Sequence, residues 1–370
     1  MLLSRVRRLS ILLVLHLLIG FSLIPSLDLP PLGQLIGWAL LVVSSLLVPL
    51  GFQSRNIQKP WLAWVSLLTM GVFSSLAVFS LLRLVLLGIL LPFGEASAWA
   101  HGSAVAVLVI VAVVSLFGVF NARRLARVKE VEIALPGLPE AFSGFSIVQL
   151  SDIHVGPTIK HDYIERIVQR VNGLDPDFVA ITGDLVDGTV AQLSRHIAPL
   201  GALRGRHGVA VVTGNHEYYA GALQWIDELR RIGLSVLLNE HLVLQHDGAE
   251  LVIAGVTDYS AGRYFDTHRS DPLAALVGAP EAARKILLAH QPRSAHAALE
   301  AGFDLQLCGH THGGQFWPWV HFVRLQQPWV AGIQQLGKLK VYISRGTGYW
   351  GPPIRFAAPA EITHIRLIAA

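Results

Sequence analysis

A chain of 370 residues has room for two or three domain-sized units. With 52% hydrophobic and 15% charged residues, it is too apolar to be one ordinary soluble domain. The net charge of +4 does not point to a nucleic-acid partner, because much of the basic excess borders apolar stretches, and the single Cys308 excludes an intrachain disulfide.

Charges are sparse before Asn121, where four stretches approach the roughly 20 apolar residues that a bilayer crossing requires. They run over 9–27, 32–52, 61–91 and 98–120. The first follows Arg5, Arg7 and Arg8 as a signal peptide would, but no small-x-small cleavage site comes after it, so it reads as a span. The third is long for one crossing. Arg83 is expected to snorkel to the interface, with the residues after it lying along the surface. Basic residues cluster in alternate loops: Arg5, Arg7 and Arg8, then Arg55 and Lys59, then Arg123, Arg124, Arg127 and Lys129. The remaining two loops carry only Asp28 and Glu95. The positive-inside rule then makes residues 1–127 a four-helix transmembrane region of a multi-pass cell-membrane protein, with 128–370 a catalytic domain in the cytoplasm.

From Val128 the pattern changes to short apolar runs that end in polar, glycine-rich turns. Strands are expected at 145–150, 178–181, 209–212, 251–254, 285–288, 305–307, 341–343 and 361–368. Helical spacing covers 161–171, 220–232 and 293–301. Alternating strands and helices predict a layered α/β domain, and the closer later strands predict a second sheet.

Five of these runs end in metal-capable residues, at the carboxyl ends where open α/β sheets place ligands. The blocks are Ser151-Asp152-Ile153-His154, Thr182-Gly183-Asp184, Thr213-Gly214-Asn215-His216-Glu217, Ala289-His290 and Cys308-Gly309-His310-Thr311-His312. In order, they form the pattern D-x-H, GD, GNH-E, a single His, and G-H-x-H. This series resembles the calcineurin-like metallophosphoesterase family over nearly the whole soluble part. The resemblance implies a two-sheet αββα sandwich and two divalent cations. One would be held by Asp152, His154, Asp184 and His312, and the other by Asp184, Asn215, His290 and His310, with Asp184 shared. Oxygen and nitrogen donors without thiolate suit Mn, Fe or Zn in such a site. The resemblance further implies that His216 assists the transition state or the leaving oxygen, while a metal-activated hydroxide attacks phosphorus. Asp187 and Asp258 read either as supports for the site or as turn formers. His161, His196, His241, His268 and His364 read as surface or packing residues.

The tryptophan-rich stretch from Gly313 to Trp329 reads either as a lid packed on the domain or as a contact with the membrane interface. The motifs Ser344-Arg345-Gly346-Thr347-Gly348 and Pro352-Pro353-Ile354-Arg355-Phe356 resemble a bacterial membrane-associated phosphodiesterase branch of the family, with Thr347 where leucine is common. Arg345 and Arg355 either bind substrate phosphate or pair with carboxylates inside the domain. The resulting expectation is an enzyme that hydrolyses a phosphodiester or pyrophosphate of a lipid-linked substrate at the bilayer. The competing readings are a phosphoesterase for soluble nucleotides or phosphoproteins that uses the helices as an anchor, and a non-catalytic membrane sensor.

Overall fold

The computed structural model describes residues 2–57 and 59–370. The side chains of Arg5 and Arg8, from the first basic cluster, lie outside the described set. The chain divides into two compact units, 1–121 with 351–356, and 122–350 with 357–370.

The first unit contains α1 (Leu2–Leu23), α2 (Pro31–Gly51), α3 (Pro60–Leu90) and α4 (Ala96–Arg123). Proline opens α2 and α3 at their first turn, where its missing N–H costs nothing. All four helices are long and apolar enough to cross a membrane. Helix α3 is unbroken over 31 residues, about 46 Å at 1.5 Å per residue. The expectation for Arg83 is therefore corrected. Its side chain does not snorkel outward but is buried among the helices, at 3% exposure. Its guanidinium donates to Ser22 O and Oγ on α1, and to Ser103 Oγ and Ala100 O on α4. A cation in an apolar bundle needs such acceptors, and these four bonds come from two neighbouring helices. Segment 351–356 belongs to this unit. Ile354 seats at Gly71 and Gly118, where an added Cβ would lie 2.5 and 2.4 Å from it. Arg355 N–H donates to Gly118 O.

The second unit follows the order β1 (Arg127–Leu135), β2 (Ser146–Leu150), α5 (His161–Asn172), β3 (Phe178–Thr182), α6 (Val190–Ile197), β4 (Val209–Val212), α7 (Asn215–Ala220), α8 (Ala222–Arg231), β5 (Ser235–Val236), β6 (Glu240–His246), β7 (Ala249–Gly255), β8 (Arg284–Leu288), α9 (Ala295–Ala301), β9 (Leu305–Cys308), α10 (Trp319–Val323), β10 (Gly332–Leu336), β11 (Leu339–Ile343) and β12 (Glu361–Ala369). Two mixed sheets form, ordered β1-β12-β2-β3-β4-β5 and β10-β11-β9-β8-β7-β6. Strands β2 to β5 are parallel, as are β7, β8, β9 and β11.

One core contains inward residues of both sheets, including Ile147, Phe178, Val212, Ile253, Leu288 and Leu307. A second joins the first sheet to α5, α6 and α8 through Ile164, Ile167, Leu193 and Trp225. A third joins the second sheet to α9. The two sheets are thus faced by helices, as an αββα sandwich. Central strands buried on both faces read as unbroken apolar runs, and their carboxyl ends emerge in neighbouring loops.

Candidate metal centre

The loops after β2, β3, β4, β8 and β9 converge. Asp152, His154 and His312 form one group with ligand atoms within 4.8 Å of one another, and Asp184, His290 and His310 form another. Asp184 also groups with His154 and His216. Its Oδ2 lies 3.2 Å from His290 Nε2, 3.8 Å from His154 Nε2 and 3.9 Å from His216 Nε2. A single carboxylate oxygen therefore faces imidazoles from three loops.

Close approach shapes these loops. Asp152, His154, Asp184, His310 and His312 all have positive φ, between 51 and 69°. A non-glycine residue in this region costs about 1–2 kcal/mol, so the rest of the fold must hold these turns in place. The candidate ligands themselves, and not only the glycines beside them, adopt the strained backbone. Glycines also make room. A Cβ at Gly214 would lie 2.1 Å from Asp184 Oδ1, and one at Gly309 would lie 2.0 Å from Ser151 Oγ.

The hydrogen bonds behind the cluster set which nitrogen faces inward. His290 Nδ1–H donates to Thr182 O at 2.8 Å, leaving Nε2 to face Asp184. His154 Nδ1–H donates to Asp187 Oδ1 at 3.1 Å, leaving its Nε2 toward His312 Nε2 at 3.0 Å. His290 Nε2 and His310 Nδ1 face each other at 3.1 Å. Two such facing nitrogens need a proton or a cation between them. Asn215 Oδ1 is buried and has no hydrogen-bond partner. Asp152 and Asp184 are buried at 0% and 2% exposure, and among the described residues neither is ion-paired to Lys or Arg. Buried carboxylates with facing imidazoles and an orphan amide oxygen fit divalent cations, which would compensate the buried charge. Cys308 does not join the set. Its thiol is buried, donates to Tyr342 O, and is pushed by burial to a pKa well above the ordinary thiol range.

Asp187 accepts from His216 Nδ1–H at 2.5 Å and thereby aims His216 Nε2 at the cluster. Burial disfavours charge on His216, but Asp184 and Asp187 outweigh it and raise its pKa to about 9. His310 goes the other way, to about 3, because burial and the neighbouring His290 both oppose its charge. Asp184 stays well below the usual carboxylate range, since His290, His216 and His154 overcome the effect of burial.

Two positions that the sequence did not single out support the centre. Glu217 is buried and ties two loops together. Its Oε2 accepts from Asp184 N and Gly214 N, and its Oε1 from Leu185 N and Val186 N. The position lay within the GNH-E block, but only the structure shows its four donors. Arg293 is half-buried three residues after His290. It donates to Gln326 O, lies over the Tyr259 ring, and its charge is felt at His310.

Asp258 is buried and accepts from Gln291 Nε2, beside His290. Arg345 is half-buried with its stem against Gly313, where a Cβ would lie 3.0 Å from Arg345 Cγ. Its neighbours back the first ligand loop, with Thr347 N donating to Ser151 O and Gly348 N to Asp152 O. Arg355 is not brought to a solvent-accessible site, because its side chain is fully buried.

Residues 145–314 match the family described as calcineurin-like phosphoesterase. A zebrafish protein named "Transmembrane protein with metallophosphoesterase domain" is 37% identical over 327 residues, which are 84% of this chain and 75% of that protein. Its bovine namesake is 40% identical over 274 residues, 71% of this chain and 62% of that one. An uncharacterized metallophosphoesterase of Campylobacter jejuni is 37% identical over 249 residues, 67% of this chain and 64% of that one. The match thus covers less than two thirds of the latter two relatives.

Proposed function

This chain belongs to the calcineurin-like metallophosphoesterase family and is a metal-dependent phosphoester hydrolase, and from that premise we propose that it cleaves a phosphodiester or diphosphate of a lipid-linked substrate at a membrane surface. The observation that carries the hydrolytic part is the single Asp184 oxygen facing three imidazoles from three loops. Asp152, His154, Asp184 and His312 would hold one divalent cation, and Asp184, Asn215, His290 and His310 the second. Mn, Fe or Zn fits this donor set. When bound, such a pair supplies Lewis acidity for phosphoryl oxygens and a nucleophile from water near neutral pH.

The protein's own part is to orient groups and move a proton. Asp187 accepts the Nδ1–H of His216 and, with Asp184, favours the imidazolium, whose Nε2–H is the proton offered to the leaving oxygen. His216→Ala is expected to lower kcat for bis-p-nitrophenyl phosphate about 10²- to 10⁴-fold, with bound metal unchanged by elemental analysis. A loss of metal together with activity would make His216 a ligand instead. Full metal occupancy in the wild-type protein with no ester cleaved would favour the sensor reading.

The lipid part of the reading is supported by the four apolar helices and by the segment after His312. Trp319, Phe322 and Leu325 recur every third residue and are exposed at 42, 51 and 81%. This short apolar stripe starts on α10, which packs so closely on Gly314 that a Cβ there would meet Val320 Cα at 2.4 Å. Phe316 is buried and Trp329 packs on the third core, so only part of the stretch is a lid. The clustering of basic residues in alternate loops supports a cytoplasmic side for the catalytic unit. Replacing Trp319, Phe322 and Leu325 together by serine is expected to lower hydrolysis of a lipid phosphodiester in vesicles more than about tenfold, roughly the effect of losing 1.4 kcal/mol of interfacial binding. Hydrolysis of soluble bis-p-nitrophenyl phosphate should change far less. Equal loss on both would remove the support for a lipid substrate.

A further inference from the structure

His216 is bordered by aromatic rings that the hydrolytic chemistry does not use. Its ring centroid lies 5.1 Å from that of Tyr219 and 6.0 Å from that of Trp350. The row continues from Tyr219 to Tyr264 at 6.2 Å. Tyr219, Trp350 and Tyr264 are exposed at 48, 51 and 46%. Large rings left half in water beside a reacting group have apolar faces available for a ligand.

Trp350 is held in place despite its exposure. Gln315 Nε2 donates to Trp350 O, and Trp350 N–H donates to Gln315 Oε1, both at 2.9 Å. Gln315 is itself buried, has φ +55°, and stands three residues after His312. The loop that brings His312 to the centre therefore also fixes the position of Trp350. Tyr219 stands four residues after Asn215, on the same short helix α7.

We propose that Trp350, Tyr219 and Tyr264 form the subsite for the leaving half of the substrate, and that this subsite takes a flat ring, such as an aryl group or a nucleobase, in preference to an alkyl chain. The proposal rests on the hydrolase reading, in which His216 serves the leaving oxygen. A group bonded to that oxygen would lie near the rings that border His216. Aromatic faces stack on flat rings of any identity, and the tyrosine hydroxyls keep the surface wet. The exposed alkyl-compatible stripe is a different set of residues, Trp319, Phe322 and Leu325.

Phosphonates test this without turnover, because their C–P bond is not an ester. Isothermal titration calorimetry of the full chain in detergent with Mn²⁺ would compare phenylphosphonate, cyclohexylphosphonate and octylphosphonate. Phenylphosphonate should bind about tenfold more tightly than cyclohexylphosphonate, in the range of one stacked ring. Trp350→Ala and Tyr219→Ala should each erase most of that preference, while Trp350→Phe and Tyr219→Phe retain it. Equal affinity for phenyl and cyclohexyl probes, or a gain for octylphosphonate as large as that for phenyl, would overturn the proposal. So would alanine variants that weaken all three probes alike, since that marks a structural role. A failed hydrolysis assay would count against the hydrolase reading alone, because the ring preference is read from binding.

Discussion

Asp184→Asn is expected to abolish phosphodiester hydrolysis, by about 10⁴-fold or more, and to lower bound divalent metal from two ions per chain to one or none. The substitution keeps the shape and one acceptor oxygen, so the N–H of His216, which donates to Asp184 Oδ1, can keep its bond. What changes is the atom that faces His154, His216 and His290. An amide in asparagine's place brings neutral charge, and in one orientation it aims N–H donors at three imidazoles. A shared anionic donor would be lost from both proposed cation positions at once. Four powers of ten correspond to about 5.5 kcal/mol of lost transition-state stabilisation, within what two bound cations supply to a phosphoryl group. Rates with bis-p-nitrophenyl phosphate and metal by mass spectrometry would be read from the same sample. Activity within tenfold of wild type at full metal content would remove Asp184 from the centre of the proposal.

The central strands were legible because burial on both faces leaves a continuous apolar run. All eight expected strands form, with ends within about two residues. The four strands that were not anticipated are β1, β5, β6 and β10, and these are the two edges of each sheet. An edge strand has one solvated side and carries charge or polar residues there. Strand β1 reads Arg-Val-Lys-Glu-Val-Glu, and β6 has polar pairs, Glu240-His241 and Gln245-His246, at both of its ends. The expected helix over 220–232 forms as α8 (Ala222–Arg231), and Gly221 at φ +103° separates it from α7, which was not anticipated.

The candidate site was legible through residue types in order, since each donor block follows a buried strand. Its supports were not, because they act through backbone groups. Nothing in the spacing of Gln315 and Trp350 announces a paired side-chain-to-backbone contact 35 residues apart. The fate of Arg83 was equally hidden, since its acceptors come from two other helices.

Glu217 is the clearest of these hidden supports, and its removal should have the largest effect on folding. Four buried backbone N–H groups, of Asp184, Leu185, Val186 and Gly214, converge on its two oxygens at 2.7–3.2 Å. Three belong to the turn after β3, whose Asp184 has φ +53°. The carboxylate thus supplies the acceptors that let this strained turn persist away from water. Glu217→Gln keeps one acceptor oxygen but sets an amide N–H₂ against two donors. It is expected to cost about 3–5 kcal/mol, from two groups losing 1–3 kcal/mol each and the added repulsion. Glu217→Ala leaves all four donors unmet and is expected to cost about 6 kcal/mol or more, enough to consume much of an ordinary domain's 5–15 kcal/mol. Denaturant titration of the full chain in detergent, followed by tryptophan fluorescence, would rank the variants wild type, Gln, Ala. Activity should fall in the same order, because the turn that loses its acceptors is the one that presents Asp184. If Glu217→Ala unfolds at the wild-type midpoint, the four donors have other acceptors and the turn is held by something else.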